Sequence, residues 1–280
     1  MKEINTIHLK YVDDLALAEA IDIKMQLTHV PVEERTLPDA YRARTGHKLI
    51  NEKSNVYDQL KKTQLYADQN KMKLNIKKTK LMLFNPCSSK DFMPEIVINN
   101  TRIDLVEEIK LLGVMLTSDL SWAANTQYIV GRCNSKIWML RRLKKLGASS
   151  EDLLEVYFKQ IRSVAEFAAP VWNSALTGDD IINLERLQKT VLHIILGDQY
   201  KSYNSALKLT GLARLSERRK KLCTKFAKKC LKNPKFSNWF RVNPKTNRRV
   251  KQPKLCPVIS KKQRFLNSPI SFLTRLLNSL

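Results

Sequence analysis

Apolar residues in this chain change their spacing once, near Ser121, and that switch limits the folds open to it. Before it they come in short runs broken by turn-forming residues, and after it they recur every three or four positions. Such a chain builds small β units first and packed helices second, an α+β arrangement. Residues 6–12 read as a strand, Asp13-Asp14 interrupts it, and residues 15–18 resume the apolar run, which describes a tight hairpin with two acids at its tip. Residues 21–50, with Pro31, Pro38 and Gly46 and no sustained period, are left unassigned. Ser54 is a plausible cap for a helix carrying Val56, Leu60, Ala67 and Met72. Residues 73–76 and 80–84 follow as short strands around a basic turn, closed by Pro86. Residues 95–98 and 101–103 flank Asn99-Asn100 as a second hairpin, and residues 109–116 form another strand.

Beyond Ser121 three amphipathic helices are predicted. The first carries Tyr128, Ile129, Ile137, Leu140 and Leu143. The second, capped by Ser150, carries Leu153, Leu154, Val156, Tyr157, Ile161 and Val164. The third opens at Asp179-Asp180, closes at Gly197 and carries Ile181, Leu184, Leu187, Val191, Leu192 and Ile195. A cationic helix spans 216–231, residues 233–256 read as extended, and Ser268 with Pro269 opens a short amphipathic helix running to Leu280.

The 280 residues carry 50 Lys and Arg against 26 Asp and Glu, a formal charge of +24. Residues 201–280 hold 22 of those cations against Glu217 alone, so +21 of the charge lies in the last 80 residues. A balance of that sign calls for an anionic partner, nucleic acid before a membrane surface. The five cysteines are widely spaced and form no Cys-x-x-Cys pair, which argues against a disulfide framework or a zinc knuckle. Neither a signal-peptide core nor a membrane-length apolar run is present, so the expected location is intracellular, nuclear or cytoplasmic.

The chemistry most clearly written in the sequence is Tyr11-Val12-Asp13-Asp14-Leu15. Two adjacent carboxylates on a rigid hairpin are the hard oxygen ligands that two-metal phosphoryl transfer requires, although an isolated Asp-Asp also makes an ordinary polar turn. Some 60 residues on comes Leu74-Asn75-Ile76-Lys77-Lys78-Thr79-Lys80, and about 30 further Ile109-Lys110-Leu111-Leu112-Gly113-Val114. In this order the chain resembles the C-terminal part of LINE-type (non-LTR) retrotransposon reverse transcriptases, from motif C of the palm onward. The stretch with Leu120-Ser121-Trp122, Lys136, Ala169-Pro170-Val171-Trp172 and Leu184-Glu185-Arg186-Leu187-Gln188-Lys189 is similar to their thumb and post-thumb region.

The resemblance implies that Asp13 and Asp14 are catalytic carboxylates holding Mg²⁺ and that Lys78 stands near the leaving pyrophosphate, with Lys77 and Lys80 as alternatives. It also implies that Leu111, Leu112 and Gly113 are the primer grip, and that the partners are an RNA template and a DNA primer. Residues 1–118 would be a partial palm, 119–200 a helical thumb or connector, and 201–280 a basic extension. The strand carrying the first metal-binding aspartate is not in this sequence, so the isolated chain is expected to be an inactive fragment of an RNA-directed DNA polymerase.

The extension has its own logic, and the alternative reading is a non-catalytic, basic nucleic-acid-binding remnant. Arg218, Arg219, Lys225, Lys228, Lys229, Arg248 and Arg249 are candidate phosphate contacts, with Trp239 and Phe240 as aromatics to stack on unpaired bases. A membrane role for Ile270-Ser271-Phe272-Leu273 is the least favoured reading.

Overall fold

A computed structural model describes residues 7–11, 14–18, 47–49, 55–84, 93–98, 101–242, 255–256, 259–261 and 263–279. The fold mixes helices with small sheets, in two compact units: one of residues up to Ile109 with Ser118–Leu120, the other of Lys110–Thr117 with the residues from Ser121 on. Residues 121–200 and 201–280 thus belong to the same unit.

In the first unit strands pair two by two. β1 (Ile7–Tyr11) lies antiparallel to β2 (Asp14–Ala18) with Tyr11 opposite Asp14, the strand pair expected from the interrupted apolar run. β3 (His47–Leu49) falls in the segment left unassigned. Helix α1 (Asn55–Gln69) follows, then β4 (Lys80–Leu81), β5 (Met93–Glu95), β6 (Val97–Ile98), β7 (Thr101–Arg102) and β8 (Asp104–Leu105). β3 runs parallel to β5 and β4 parallel to β8. β6 and β7 are antiparallel with Ile98 opposite Thr101, which leaves the two asparagines as their connection. Ile96, Ile98 and Ile103 are buried, with Leu60, Ile76, Leu81 and Leu83 packed against them.

Residues 73–76 do not form the expected strand. Asn75 accepts a hydrogen bond from the Lys78 backbone on its side chain at 3.2 Å, and the Thr79 hydroxyl donates to the Asn75 carbonyl at 2.9 Å. Asn side chains compete with ladders in this way and turn the chain locally. The expected strand over 109–116 is likewise two strands, β9 (Glu108–Leu111) and β10 (Val114–Thr117). Leu112 at φ 47° and Gly113 at φ 84° make the turn between them, a left-handed pair suited to a two-residue hairpin.

The second unit is helical: α2 (Ala123–Lys145), α3 (Ser150–Val156), α4 (Ala169–Trp172), α5 (Gly178–Leu196), α6 (Tyr203–Thr210), α7 (Leu215–Lys232), α8 (Pro234–Ser237), α9 (Gln263–Leu266) and α10 (Pro269–Asn278). Capping boxes fix three starts, Ser149 with Asp152, Thr177 with Asp180, and Ser202 with Ser205. The cap of α3 is therefore Ser149 and not Ser150. A π turn at Tyr157–Arg162 continues α3. The apolar stripes meet as predicted: Leu153, Tyr157 and Ile161 pack with Leu184, Leu187, Val191 and Ile195, around Trp172, Cys133 and Leu140. Ile181, expected on the same stripe, is 40% exposed. The segment expected to be extended from residue 233 starts instead with α8. Cys133, Cys223, Cys230 and Cys256 are free thiols. No helix among the described residues is long and apolar enough to cross a membrane.

Candidate nucleic-acid interface

Asp14 opens β2 directly across from Tyr11, the last residue of β1. Asp13, Arg248 and Arg249 lie outside the described residues. Among the described residues no three His, Cys, Asp or Glu side chains converge as metal ligands do. Of the three candidate lysines, Lys80 is committed to Asp104 at 2.6 Å, and that cation holds the Asp104 carboxyl below its usual range. Lys77 and Lys78 are exposed on the Asn75 turn.

Leu112 is half exposed at the hairpin tip, and a Cβ added to Gly113 would come within 3.1 Å of the Phe167 ring. The positive φ and that ring are two structural demands for glycine here, independent of any primer. The hairpin leads into α2, where sequence reading by regional charge missed a feature. Over Ala123–Lys145 the helix carries Arg132, Lys136, Arg141, Arg142, Lys144 and Lys145 and no acid, a bias hidden by the near-neutral total of residues 1–200. Aromatics interleave with them: the Lys110 ammonium lies 4.9 Å from the Tyr128 ring centre, and the Arg142 guanidinium 5.3 Å from that of Trp138, which is 60% exposed. Hydrogen bonds from Lys110 and Arg132 hold the Tyr128 hydroxyl below its ordinary pKa.

The larger cationic surface is on α7, and α5 sets it in place. Glu185, buried on α5, accepts hydrogen bonds from the Leu215 and Ser216 backbone amides at 3.1 Å each and from the Tyr203 hydroxyl. A carboxylate at the first turn satisfies orphan amides and the positive helix end together. Gln188, one turn on, donates to the Ala213 carbonyl at 3.1 Å. The Leu184-Glu185-Arg186-Leu187-Gln188-Lys189 block is thus the clamp that orients α7. Glu185→Ala would leave two amides and a hydroxyl without their acceptor, at about 1–3 kcal/mol for each group left unsatisfied, reduced where water reaches it. The expected result is a fall in Tm of roughly 5–15 °C, with Tyr203→Phe producing a small part of it, measured by circular dichroism.

Two of the sequence candidates on this surface are corrected. Arg219 is 1% exposed: it follows Leu215 and precedes Cys223 at helical spacing on the buried face of α7. Its Nε donates to Asn173 Oδ1 at 3.0 Å and its guanidinium lies 5.8 Å from the Trp172 ring centre. Burial lowers its pKa while Glu185 and Glu166 counter that shift. Phe240 is buried with Cys223, Ala227, Cys230, Leu273 and Leu276, so it packs a core and presents no face to a base. Arg218 forms a bidentate pair with Glu166, at 2.5 and 3.0 Å. Lys225, Lys228 and Lys229 are exposed, as is Trp239, whose ring packs 4.9 Å from Phe236.

Comparison of the chain with protein families, with curated proteins and with solved structures finds no match to any of them.

Proposed function

We propose that this chain is the C-terminal part of an RNA-directed DNA polymerase of the non-LTR retrotransposon type, comprising the palm from its Asp-Asp box onward and a helical thumb. The observation that supports this reading is the β1–β2 register, which pairs Tyr11 with Asp14 at one end of a short antiparallel ladder. Asp13 and Asp14 would hold Mg²⁺, which when bound neutralises charge developing on a transferring phosphoryl group. The left-handed Leu112-Gly113 turn and the acid-free cationic α2 that follows it are consistent with a surface for primer and template.

Residues 1–280 should extend a primed RNA template no better than the Asp13→Ala, Asp14→Ala double variant. Joined in frame behind the fingers and first aspartate strand of a related polymerase, the chain should support Mg²⁺-dependent extension that the double variant loses. Extension by the joined protein that is indifferent to both aspartates would overturn the reading.

A second reading, a basic nucleic-acid-binding protein without catalysis, is favoured by the exposed lysines of α7, which need no metal site to act.

A further inference from the structure

We infer that the cleft between α7 and α10 takes the sugar-phosphate backbone of a single-stranded nucleic acid, an inference resting on the second reading and independent of the first. The cleft has a volume of about 770 Å³ and is walled on α7 by Lys220, Lys221, Lys225, Lys228, Lys229 and Lys232, with Glu217 the one acid in its lining. Leu276 and Ser279 close the α10 side. These lysines fall within half of the α7 circumference, while Leu215, Arg219, Cys223, Ala227 and Cys230 fill the buried half. None of the six makes an ion pair among the described residues.

Charge, shape and length together select the ligand. Lys221 with Lys225, Lys225 with Lys229 and Lys228 with Lys232 stand one turn apart, and like charges so placed destabilise the helix that carries them. A polyanion in the cleft removes that repulsion. From Lys220 to Lys232 the helix rises about 18 Å, long enough for several consecutive phosphates of one strand. Leu276 and Ser279 of α10 bound the lysine row on one side, so the phosphates of one backbone laid along α7 meet the lysines in succession. A lipid surface fits poorly: the ligand groups line a concavity, and Leu273 and Leu276 of α10 are already buried against Cys223, Ala227 and Cys230. Trp239, exposed and braced by Phe236 just beyond the Lys232 end of α7, supplies an aromatic face for an unpaired base.

The test uses the full chain with labelled oligouridylate and oligothymidylate, followed by fluorescence anisotropy across a salt series, with phosphatidylserine vesicles as the competing anionic surface. If each groove lysine neutralises one phosphate, the slope of log K against log salt on a single strand is roughly −4, at about −0.7 per phosphate. Replacing Lys221, Lys225 and Lys228 by Gln should flatten it by about 2 and weaken binding at physiological salt by tenfold or more. The same replacement at Lys201, Lys208 and Lys235, exposed lysines outside the cleft, should change the slope by much less. Trp239→Ala should weaken binding about tenfold with the slope retained, since stacking releases no counterions. Equal losses from the two triple variants would show a diffuse charge effect and overturn the cleft alone. Vesicle binding that needs the cleft lysines, with strand binding that does not, would also overturn it. Failure of the unaltered chain to bind any single strand would overturn both the cleft and the reading beneath it.

Discussion

Leu187→Asp is expected to abolish cooperative melting of the helical unit. Leu187 is 3% exposed on α5 and sits in the cluster that joins Leu184, Val191 and Ile195 to Leu153, Tyr157 and Ile161. The substitution removes a buried apolar side chain and puts a carboxylate among apolar neighbours, with a combined cost of several kcal/mol. A domain of ordinary stability has only about 5–15 kcal/mol to lose. Leu187→Ala, which leaves a cavity but no charge, should cost about 2–5 kcal/mol and still melt cooperatively. Ile181→Asp, on the same helix but 40% exposed, should shift Tm by a few degrees at most. Thermal circular dichroism on the three variants separates these cases, and an unchanged melting curve for Leu187→Asp would place that stripe at the surface.

The second large effect is loss of stability in mild alkali. The Cys133 thiol, fully buried, donates to the Ile161 carbonyl at 3.7 Å, and burial pushes its pKa up to about 12. Burial likewise pushes Cys223 up to about 11. Unfolding returns each thiol to about 8.5. The unfolded chain therefore releases these protons first, so the stability they represent is whole below about pH 8.5 and declines as pH rises toward the folded values. Two thiols, each costing up to about 1.4 kcal/mol per pH unit, remove about 3 kcal/mol between pH 8.5 and 10. Tyr157 and Tyr203, both raised chiefly by burial, extend the trend in the same direction above about pH 10. Urea denaturation should show a midpoint falling steadily through that window. A Cys133→Ala, Cys223→Ala variant, less stable at neutral pH, should have a distinctly shallower dependence below pH 10. A midpoint independent of pH there would refute the burial of these thiols as ionisable groups.

Much of the fold was legible because it is local. The β1–β2 and β6–β7 pairings, the stripe through Leu184, Leu187, Val191 and Ile195, and the Ser268-Pro269 start of α10 each follow from spacing or from one residue's backbone preference. The candidate site was legible in charge but not in detail. The lysines of α7 face outward because Leu215, Cys223, Ala227 and Cys230 must face inward, and the same register carries Arg219 into the core, where a count of cations had placed it at the surface. The Leu215-to-Cys223 spacing held that information. Other features had no local signature. Residues 73–76 have strand composition, yet the Asn75 side chain and carbonyl capture the following turn. Phe240 is aromatic and flanked by cations, yet it closes a core with Leu273 and Leu276, more than 30 residues away. Glu185 looks like one acid on an amphipathic helix, and becomes the cap of α7 only because the chain returns Leu215 and Ser216 to within 3.1 Å of it. Periodicity and composition determined which segments are helices and where cations accumulate, because each residue's preference acts over a turn or a strand. The tertiary structure decided which cations are spent inside and which line the cleft, because burial and hydrogen bonding between distant segments depend on how the helices meet.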